Sequence, residues 1–499
     1  MNVCNYLLQG KNETSPALLG LRSQHTYGEL RAASASVAGF LLSAGAHKGE
    51  RALLVAENSF FWVACYLGIL RAGLVCVPLP PGLPAGDLAK IVAVTEPRFT
   101  FSDAKSARRA ALAGVPLITD QPLPISSITL GEVQATDSIP FPEVLRDDLA
   151  ALMFTSGSTG EPRGVMISHG NIIANTDSII EYLALTPSDR IMTVLPFHYC
   201  FGTSLLHTHL RAGGSLVLDS RFMYPEVVLQ RMLETGCTGF AGVPSHFQIL
   251  LRKSNLRRIS FPQLRYVQQA GGQLAPAFIQ ELRQALPGKQ IFIMYGQTEA
   301  TARLSYLPPE CLETKLGSVG KGIPGVALSV VDENGEAVLP GQTGEIVATG
   351  DNVALGYWRD AEDSAHCFRN RKLYTGDLAT VDSDGFIYIV DRAKDFLKCG
   401  GKRVSCRHLE SVLLEHEELL EAAIIGVPDK ILGEAAVAFV VPRDRKSSLT
   451  AEQLRNHCRR QLPPPLVPQA FVMLPSLPKN SSGKVLKSVL RAQPVLHGD

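Results

Sequence analysis

The sequence predicts an α/β fold, on three observations. Short aliphatic runs alternate with helix-period segments from Thr26 to Gly296, the pattern of a largely parallel sheet covered on both faces. Beyond about residue 315 Gly, Val and Asp become frequent, and strands separated by turns such as Asp384-Gly385 read as an antiparallel β region. The remainder returns to mixed helices and strands. At 499 residues the chain has room for two or more domains with large cores.

Taken in order, Thr26-Tyr-Gly-Glu opens a helix through a capping box, and Leu30, Ala33, Val37, Phe40 and Leu41 recur at helical spacing. A strand over 52–56, a helix over 59–71 and a strand over 74–79 follow. The run 60–79 is apolar but broken by Arg71, Gly73 and Pro78, so it reads as a buried helix and strand rather than a membrane span. A helix over 87–95, a strand over 99–101 and a helix over 104–113 lead to proline-rich surface connections at 121–124 and 139–142. Beyond these, helices are expected at 170–182, 205–212, 225–235, 244–253 and 275–285. Strands are expected at 191–195, 215–218, 238–244, 264–268 and 291–296. The β region contributes strands at 327–332, 344–349 and 386–390. The last part adds helices at 406–415 and 451–461 and strands at 421–427 and 435–441.

Composition excludes several classes. With 45% hydrophobic and 19% charged residues and a net charge of +1, the chain reads as a soluble globular protein with no pull toward nucleic acid or an anionic membrane. Ten scattered cysteines without a CxxC pair indicate neither a disulfide framework nor a zinc site, and a reduced, cytoplasmic setting is expected. The N-terminal residues lack the parts of a signal peptide. The sequons at Asn12 and Asn480 therefore carry no weight.

Chemistry concentrates at residues 154–165, FTSGSTGEPRGV, directly after the apolar run 149–154. Seven of these twelve residues are Gly, Ser or Thr. Gly157, Gly160 and Gly164 let backbone N–H groups approach an anion. Thr155, Ser156, Ser158 and Thr159 add hydroxyl donors, and Arg163 adds a fixed charge. That chemistry suits a polyphosphate, although no Walker A pattern occurs in the chain. Gly320-Lys-Gly-Ile-Pro-Gly325 fits G-x-G-x-x-G, but Pro324 and the strand after it contradict a dinucleotide site.

Together with Tyr295-Gly-Gln-Thr-Glu, Tyr374-Thr-Gly-Asp, the segment from Asp391 to Lys402 and Pro478-Lys-Asn-Ser-Ser-Gly-Lys, this loop resembles the adenylate-forming superfamily of acyl-CoA synthetases, peptide-synthetase adenylation domains and beetle luciferases. The resemblance spans about Thr26 to Arg491. It implies a large N-terminal domain, 1–391, of doubly wound sheets flanked by helices with a β-barrel-like subdomain. A small mobile C-terminal α+β domain, 392–499, would be joined to it by a hinge at Lys394. The implied reaction turns a carboxylate and MgATP into acyl-AMP and pyrophosphate, then passes the acyl group to CoA or to the phosphopantetheine arm of a carrier protein.

The resemblance also implies roles. Thr155, Ser156, Gly157, Ser158, Thr159, Gly160 and Arg163, where the family usually has Lys, hold the phosphates. Thr298 meets the α-phosphate, and Glu299 with Thr155 holds Mg²⁺. Tyr295, Gly296, Gln297, Gly271 and Gly272 surround the adenine side. Asp377, Ile389 and Arg392 serve the ribose. Lys484 bridges the acid and the α-phosphate during adenylation, and Lys398 serves the second half-reaction. His198 gates an acyl pocket containing Phe201, Gly202, Phe240 and Ala270. No Asp lies between 196 and 206 to hold an α-ammonium group, so these apolar and small residues favour a fatty or other apolar acid. A carrier-protein ligase, a luciferase-type oxygenase and a degenerate nucleotide-binding scaffold remain the alternatives.

Overall fold

The computed structural model describes residues 1–122, 128–129, 140–156, 162–392, 396–399, 402–429, 432–444, 447–480, 483 and 485–493, without the side chains of Leu112, Ser156, Arg392, Lys402 and Arg403. Two sheets dominate the first three hundred residues. One has seven strands, ordered Ile128–Thr129, Leu117–Thr119, Phe99–Ser102, Arg51–Val55, Val75–Pro78, Leu149–Ser156 and Pro162–Ser168. All its pairs are parallel except the last, an antiparallel pair whose strands flank the glycine-rich segment in sequence. The other has nine strands, with Gln290–Tyr295, Tyr266–Gln269, Gly239–Gly242, Arg190–Thr193, Ser215–Leu218 and Pro16–Leu19 in parallel and short antiparallel strands at each edge.

Four helices fill the layer between the sheets. Tyr27–Ser43, Phe60–Arg71, His169–Leu183 and Cys200–Ala212 share one core with Leu54 and Phe101 of the first sheet and with Leu216 and Phe292 of the second. The strand period of two decides which side each residue serves. Leu54 enters this central core, while its neighbours Leu53 and Val55 face the outer layer. Trp62, Leu67 and Leu70 of the second helix are fully buried, each stabilising by about 1.5–3 kcal/mol. That accounts for the apolar run read as helix and strand; no described helix is long and apolar enough to cross a membrane. The expected capping box at Thr26 and Glu29 is present, and Ser59 caps the next helix.

The antiparallel region is a five-stranded sheet of Val326–Val331, Thr343–Gly350, Lys372–Val381, Phe368–Arg369 and Ile387–Arg392. The C-terminal part has its own five-stranded sheet and its own core around Leu409, Leu413, Ile424, Ala438 and Leu454. Three readings are amended. The helix expected at 104–113 is one α-turn, Ala107–Ala110, followed by a 3-10 turn. The helix expected from 205 begins at Cys200. An unforeseen helix, Val3–Leu8, is held by the Asn2 side chain accepting from the Cys4 amide. Residues 123, 124 and 139 of the proline-rich connections lie outside the described residues.

Candidate active site

The strand Gln290–Tyr295 ends at the position where open parallel sheets hold ligands, beyond the carboxyl ends of their strands. Tyr295 is its last residue. Its hydroxyl donates to Asp377 Oδ2 at 2.7 Å, and Asp377 is only 3% exposed. Asp377 pairs with Arg392 across neighbouring strands, and Ile389 on the same strand packs against the cluster containing Tyr295. The ribose candidates and Tyr295 are thus gathered at one place, although the Arg392 side chain is outside the described residues. Gly296 follows because the chain returns across it: a β-carbon there would strike the Ala302 carbonyl.

Thr298 and Glu299 occupy the 3-10 turn Thr298–Ala300. The turn closes abruptly. Thr301 sits at φ 65° and ψ −56°, and the Ala302 amide donates to the Ala300 carbonyl at 2.7 Å, forming a γ-turn of the rare left-handed sense. Such a backbone costs about 1–3 kcal/mol and persists where its surroundings enforce it. Here buried Asn352 enforces it. Its carbonyl accepts from the Thr301 hydroxyl, and its amide nitrogen donates to the Ala300 and Arg303 carbonyls.

Glu299 does not stand alone. Tyr357 donates its hydroxyl to Glu299 Oε1 at 2.9 Å, and the guanidinium of Arg163 lies 4.9 Å from the Tyr357 ring centroid. Burial first, then the neighbouring Glu299 carboxylate, raises the pKa of this hydroxyl, so it stays a donor. Backbone bonds fasten the segment: Met166 N–H to the Gly356 carbonyl, Leu355 N–H to that of Met166, Trp358 N–H to that of Gly164, and Ala354 N–H to that of Glu299. Arg163 faces Thr155 across the hairpin and pairs with Asp363. Asp363 is 42% exposed, and a pair of that kind contributes about 0–1 kcal/mol. A charge-assisted bond to a phosphate, about 1.5–3 kcal/mol, outcompetes it. The second Glu299 oxygen accepts no hydrogen bond among the described residues. Together with the hydroxyl of Thr155, the register partner of Arg163, a free carboxylate oxygen fits a hard divalent ion completing its shell from phosphate oxygens. Ser156's side chain and all of Gly157, Ser158, Thr159 and Gly160 lie outside the described residues, as do Lys394 and Lys484.

On the other side of Thr298 lies the helix Cys200–Ala212; the Thr298 hydroxyl contacts Cys200 Sγ at 3.4 Å. Half-buried His198 precedes it, its pKa lowered to about 4 by loss of water around the ring, so it is neutral near pH 7. Phe201 and Ala270 belong to the central core, and Gly202 tucks beneath the Pro196 carbonyl. Phe240 does not join them. It lies on the opposite face of its strand from Ala241, packed with Phe222 and Phe247 in the outer layer, because alternate strand residues serve opposite faces. Gly271 lies against Tyr199 and Val243, Gly272 against Pro244, and the Gln269 amide donates to the Gly272 carbonyl. A buried nitrogen of Gln297 has no partner among the described residues. Lys398 is exposed on Phe396–Cys399, its amide tied to Glu434, and among the described residues it makes no contact with Thr298 or Glu299.

The tail approaches from the same side. A β-carbon on Gly483 would lie 3.1 Å from Val243 and 3.5 Å from Ser245, beside Gly271's own neighbour. Arg252, 4% exposed, donates to the carbonyls of His416, Glu417 and Leu419 and so fastens the C-terminal sheet to the helix Pro244–Lys253. Sequence reasoning missed Tyr357, Cys200, Asn352 and Arg303. Arg303 is 1% exposed, its guanidinium 4.5 Å from the Phe201 ring centroid, with Nε and Nη2 buried and unpartnered among the described residues. A desolvated cation–π contact contributes about 2 kcal/mol, whereas removing a cation from water costs several kcal/mol. Stacking on Phe201 and a side-chain hydrogen bond with Tyr182 leave Nε and Nη2 without partners among the described residues.

The comparisons agree with this geometry. The profile of the AMP-binding enzyme family matches residues 9–358, and that of the AMP-binding enzyme C-terminal domain matches 408–484. A feruloyl-CoA synthase of Amycolatopsis is 33% identical over 93% of this chain and 93% of its own. A long-chain-fatty-acid–CoA ligase of Yersinia pestis is 30% identical over 97% of this chain and 92% of its own. The o-succinylbenzoate CoA synthetase of Bacillus subtilis, solved with its acyl-adenylate intermediate, superposes at a TM-score of 0.86 and 28% identity, covering 99% and 98% of the two chains. With the strand-end Thr-Glu turn, the strand pair flanking the glycine-rich segment and the C-terminal unit in place, the chain belongs to the AMP-binding enzyme family, as an AMP-forming ligase of the acyl-CoA synthetase type.

Proposed function

We propose that the enzyme condenses a carboxylic acid with MgATP to acyl-AMP and pyrophosphate, then transfers the acyl group to the thiol of CoA. The observation that supports this most is the chain from Glu299 through Tyr357 to Arg163, which joins a carboxylate and a cation from distant segments at one point. In the first step a carboxylate oxygen attacks the α-phosphorus and the bond to the pyrophosphate oxygen breaks. Both reactants are anions, so the barrier falls only if their charge is neutralised and their approach is fixed.

In this reading Arg163 leaves Asp363 for the β- and γ-phosphates, helped by Thr155, Ser156 and the loop through Gly160. Thr298 donates to the α-phosphate, and Lys484 bridges it to the acid. Glu299 and Thr155 would hold Mg²⁺, which supplies positive charge beside the phosphate oxygens when bound. The ribose hydroxyls meet the Tyr295–Asp377 pair, with Arg392 and Ile389 beside it. Gly271, Gly272, Gly296 and Gln297 border the adenine. Residues 392–499 then turn about Lys394 and bring Lys398 toward the thiol step. The contact of Gly483 with Val243 and Ser245 supports an adenylating arrangement here. The acid itself has an apolar body, resting on Phe201 and Ala270, and neutral His198 gates it. Ten free cysteines support a cytoplasmic setting.

The test is acid-dependent exchange of labelled pyrophosphate into ATP across a panel of acids, followed by mass analysis with CoA or a carrier protein as acceptor. Exchange with at least one acid and an acyl-CoA product are expected. A Lys484→Ala variant should lose exchange while still forming thioester from supplied acyl-adenylate. No exchange with any acid would leave only a nucleotide-binding scaffold.

A further inference from the structure

Arg303 has no role in adenylation as described, yet it is among the largest fully buried side chains of the protein. It follows directly on the strained turn after Glu299, and its backbone carbonyl accepts from both Asn175 and Asn352. Its side chain runs inward across Phe201 and shares a hydrogen bond with the Tyr182 side chain, and its charge is felt by Cys200, the residue touching Thr298. No carboxylate among the described residues lies within ion-pair reach of it. The two unpartnered groups, Nε–H and one Nη2 N–H, are the parallel pair along one edge of the guanidinium plane. That edge matches two carboxylate oxygens.

We propose that Arg303 is a specificity-determining residue that binds a second carboxylate on the acid substrate, so that the enzyme's substrate is a dicarboxylic acid activated at one end only. The inference rests on the acid-activating reading and narrows its apolar acid to one with an anionic far end. Three features converge on it. Cys200 touches Thr298 while Phe201, the next residue of the same helix, stacks on Arg303, so a carboxylate bound at Arg303 would belong to a molecule whose other end lies toward Thr298. The ring of Phe201 covers one face of the guanidinium and leaves its edge for a planar partner. An acid ending in a methyl group brings that edge nothing to bond.

The test compares matched pairs of mono- and dicarboxylic acids of equal length, straight-chain and aromatic, in the pyrophosphate-exchange assay with wild type and Arg303→Met. Wild type should prefer a dicarboxylic acid over its monocarboxylic partner, mainly through a lower KM. Arg303→Met should reverse that preference by on the order of 100-fold in the ratio of kcat/KM values, as expected when one partner of a buried charge pair is removed. Arg303→Met keeps the volume and should fold, its thermal melting unchanged or raised, because no protein carboxylate loses its partner. If wild type prefers the monocarboxylic member of every pair, or if the variant alters both members alike, Arg303 is a structural stacking residue and the inference is overturned. If no acid of either class supports exchange, the acid-activating reading fails first and takes this one with it.

Discussion

Two tyrosine–carboxylate pairs sit a few residues apart and differ in one property. Tyr295 donates to Asp377, which is 3% exposed; Tyr357 donates to Glu299, which is half-exposed. The bonds are alike in length and type, yet their consequences separate. Water replaces a lost donor at Glu299 more readily than at Asp377, where removing a donor from a buried carboxylate costs stability. The Tyr295–Asp377 pair is therefore tied to the stability of the fold, and the Tyr357–Glu299 pair to the positioning of the Glu299 carboxylate.

The largest expected effect is at Glu299 itself. Glu299→Gln keeps the shape and removes the charge, and should lower pyrophosphate exchange on the order of 100- to 1000-fold, with little change in melting temperature. A variant that melts early and exchanges normally would put Glu299 with Asp377 on the structural side. Next comes Tyr357→Phe. It keeps the ring beneath Arg163 and deletes the hydroxyl, so exchange should fall by roughly ten- to a hundredfold, the worth of a hydrogen bond to a charged group. Tyr295→Phe should show the opposite balance: about 2 kcal/mol of lost stability, read in denaturant or thermal melts, and a smaller kinetic change carried by KM for ATP. Equal profiles for the two variants would erase the distinction drawn from burial.

A test of a different kind separates the site from the core by pH. His169, His207 and His209 are buried, and loss of water lowers their pKa values to about 4, 3 and 4. Each is held neutral: His169 Nδ1 accepts from the Val3 amide, His209 Nδ1 donates to the Leu205 carbonyl while Nε2 meets the Tyr266 hydroxyl, and His207 meets that of Tyr66. Because the folded values lie below the unfolded 6.5, the unfolded chain binds protons first as pH falls. Stability is thus full above about 6.5 and declines toward about 4, each histidine adding up to about 1.4 kcal/mol per pH unit. Melts at pH 7, 6 and 5 should fall progressively, and His207→Gln should flatten the decline. A melting temperature independent of pH over that range would contradict the assigned neutral state.

Much of this architecture was legible because it is written in local chemistry. Thr26 and Glu29 announced a capping box, and the helix Pro244–Lys253 was delimited by its proline and basic end. What escaped were features set by distant contacts. The helix expected from 205 begins at Cys200, and Gly202 within it is glycine because the Pro196 carbonyl passes too close for a β-carbon. Phe201 and Phe240 look equivalent in sequence, but their elements send them to different layers. Tyr357 is 58 residues from Glu299, and nothing near either residue signals the bond. Arg303 reads as an ordinary surface charge until the turn at Thr301 buries it.

The most direct test of the central claim is a double-mutant cycle on the Glu299–Tyr357–Arg163 chain: kcat/KM for ATP in pyrophosphate exchange for wild type, Tyr357→Phe, Arg163→Met and the double variant. If all three side chains act on one triphosphate, the two losses should be coupled by more than about 0.5 kcal/mol, the double variant being less impaired than the product of the singles. Strict additivity would contradict the account, since it would mean that the cation and the tyrosine-held carboxylate work independently.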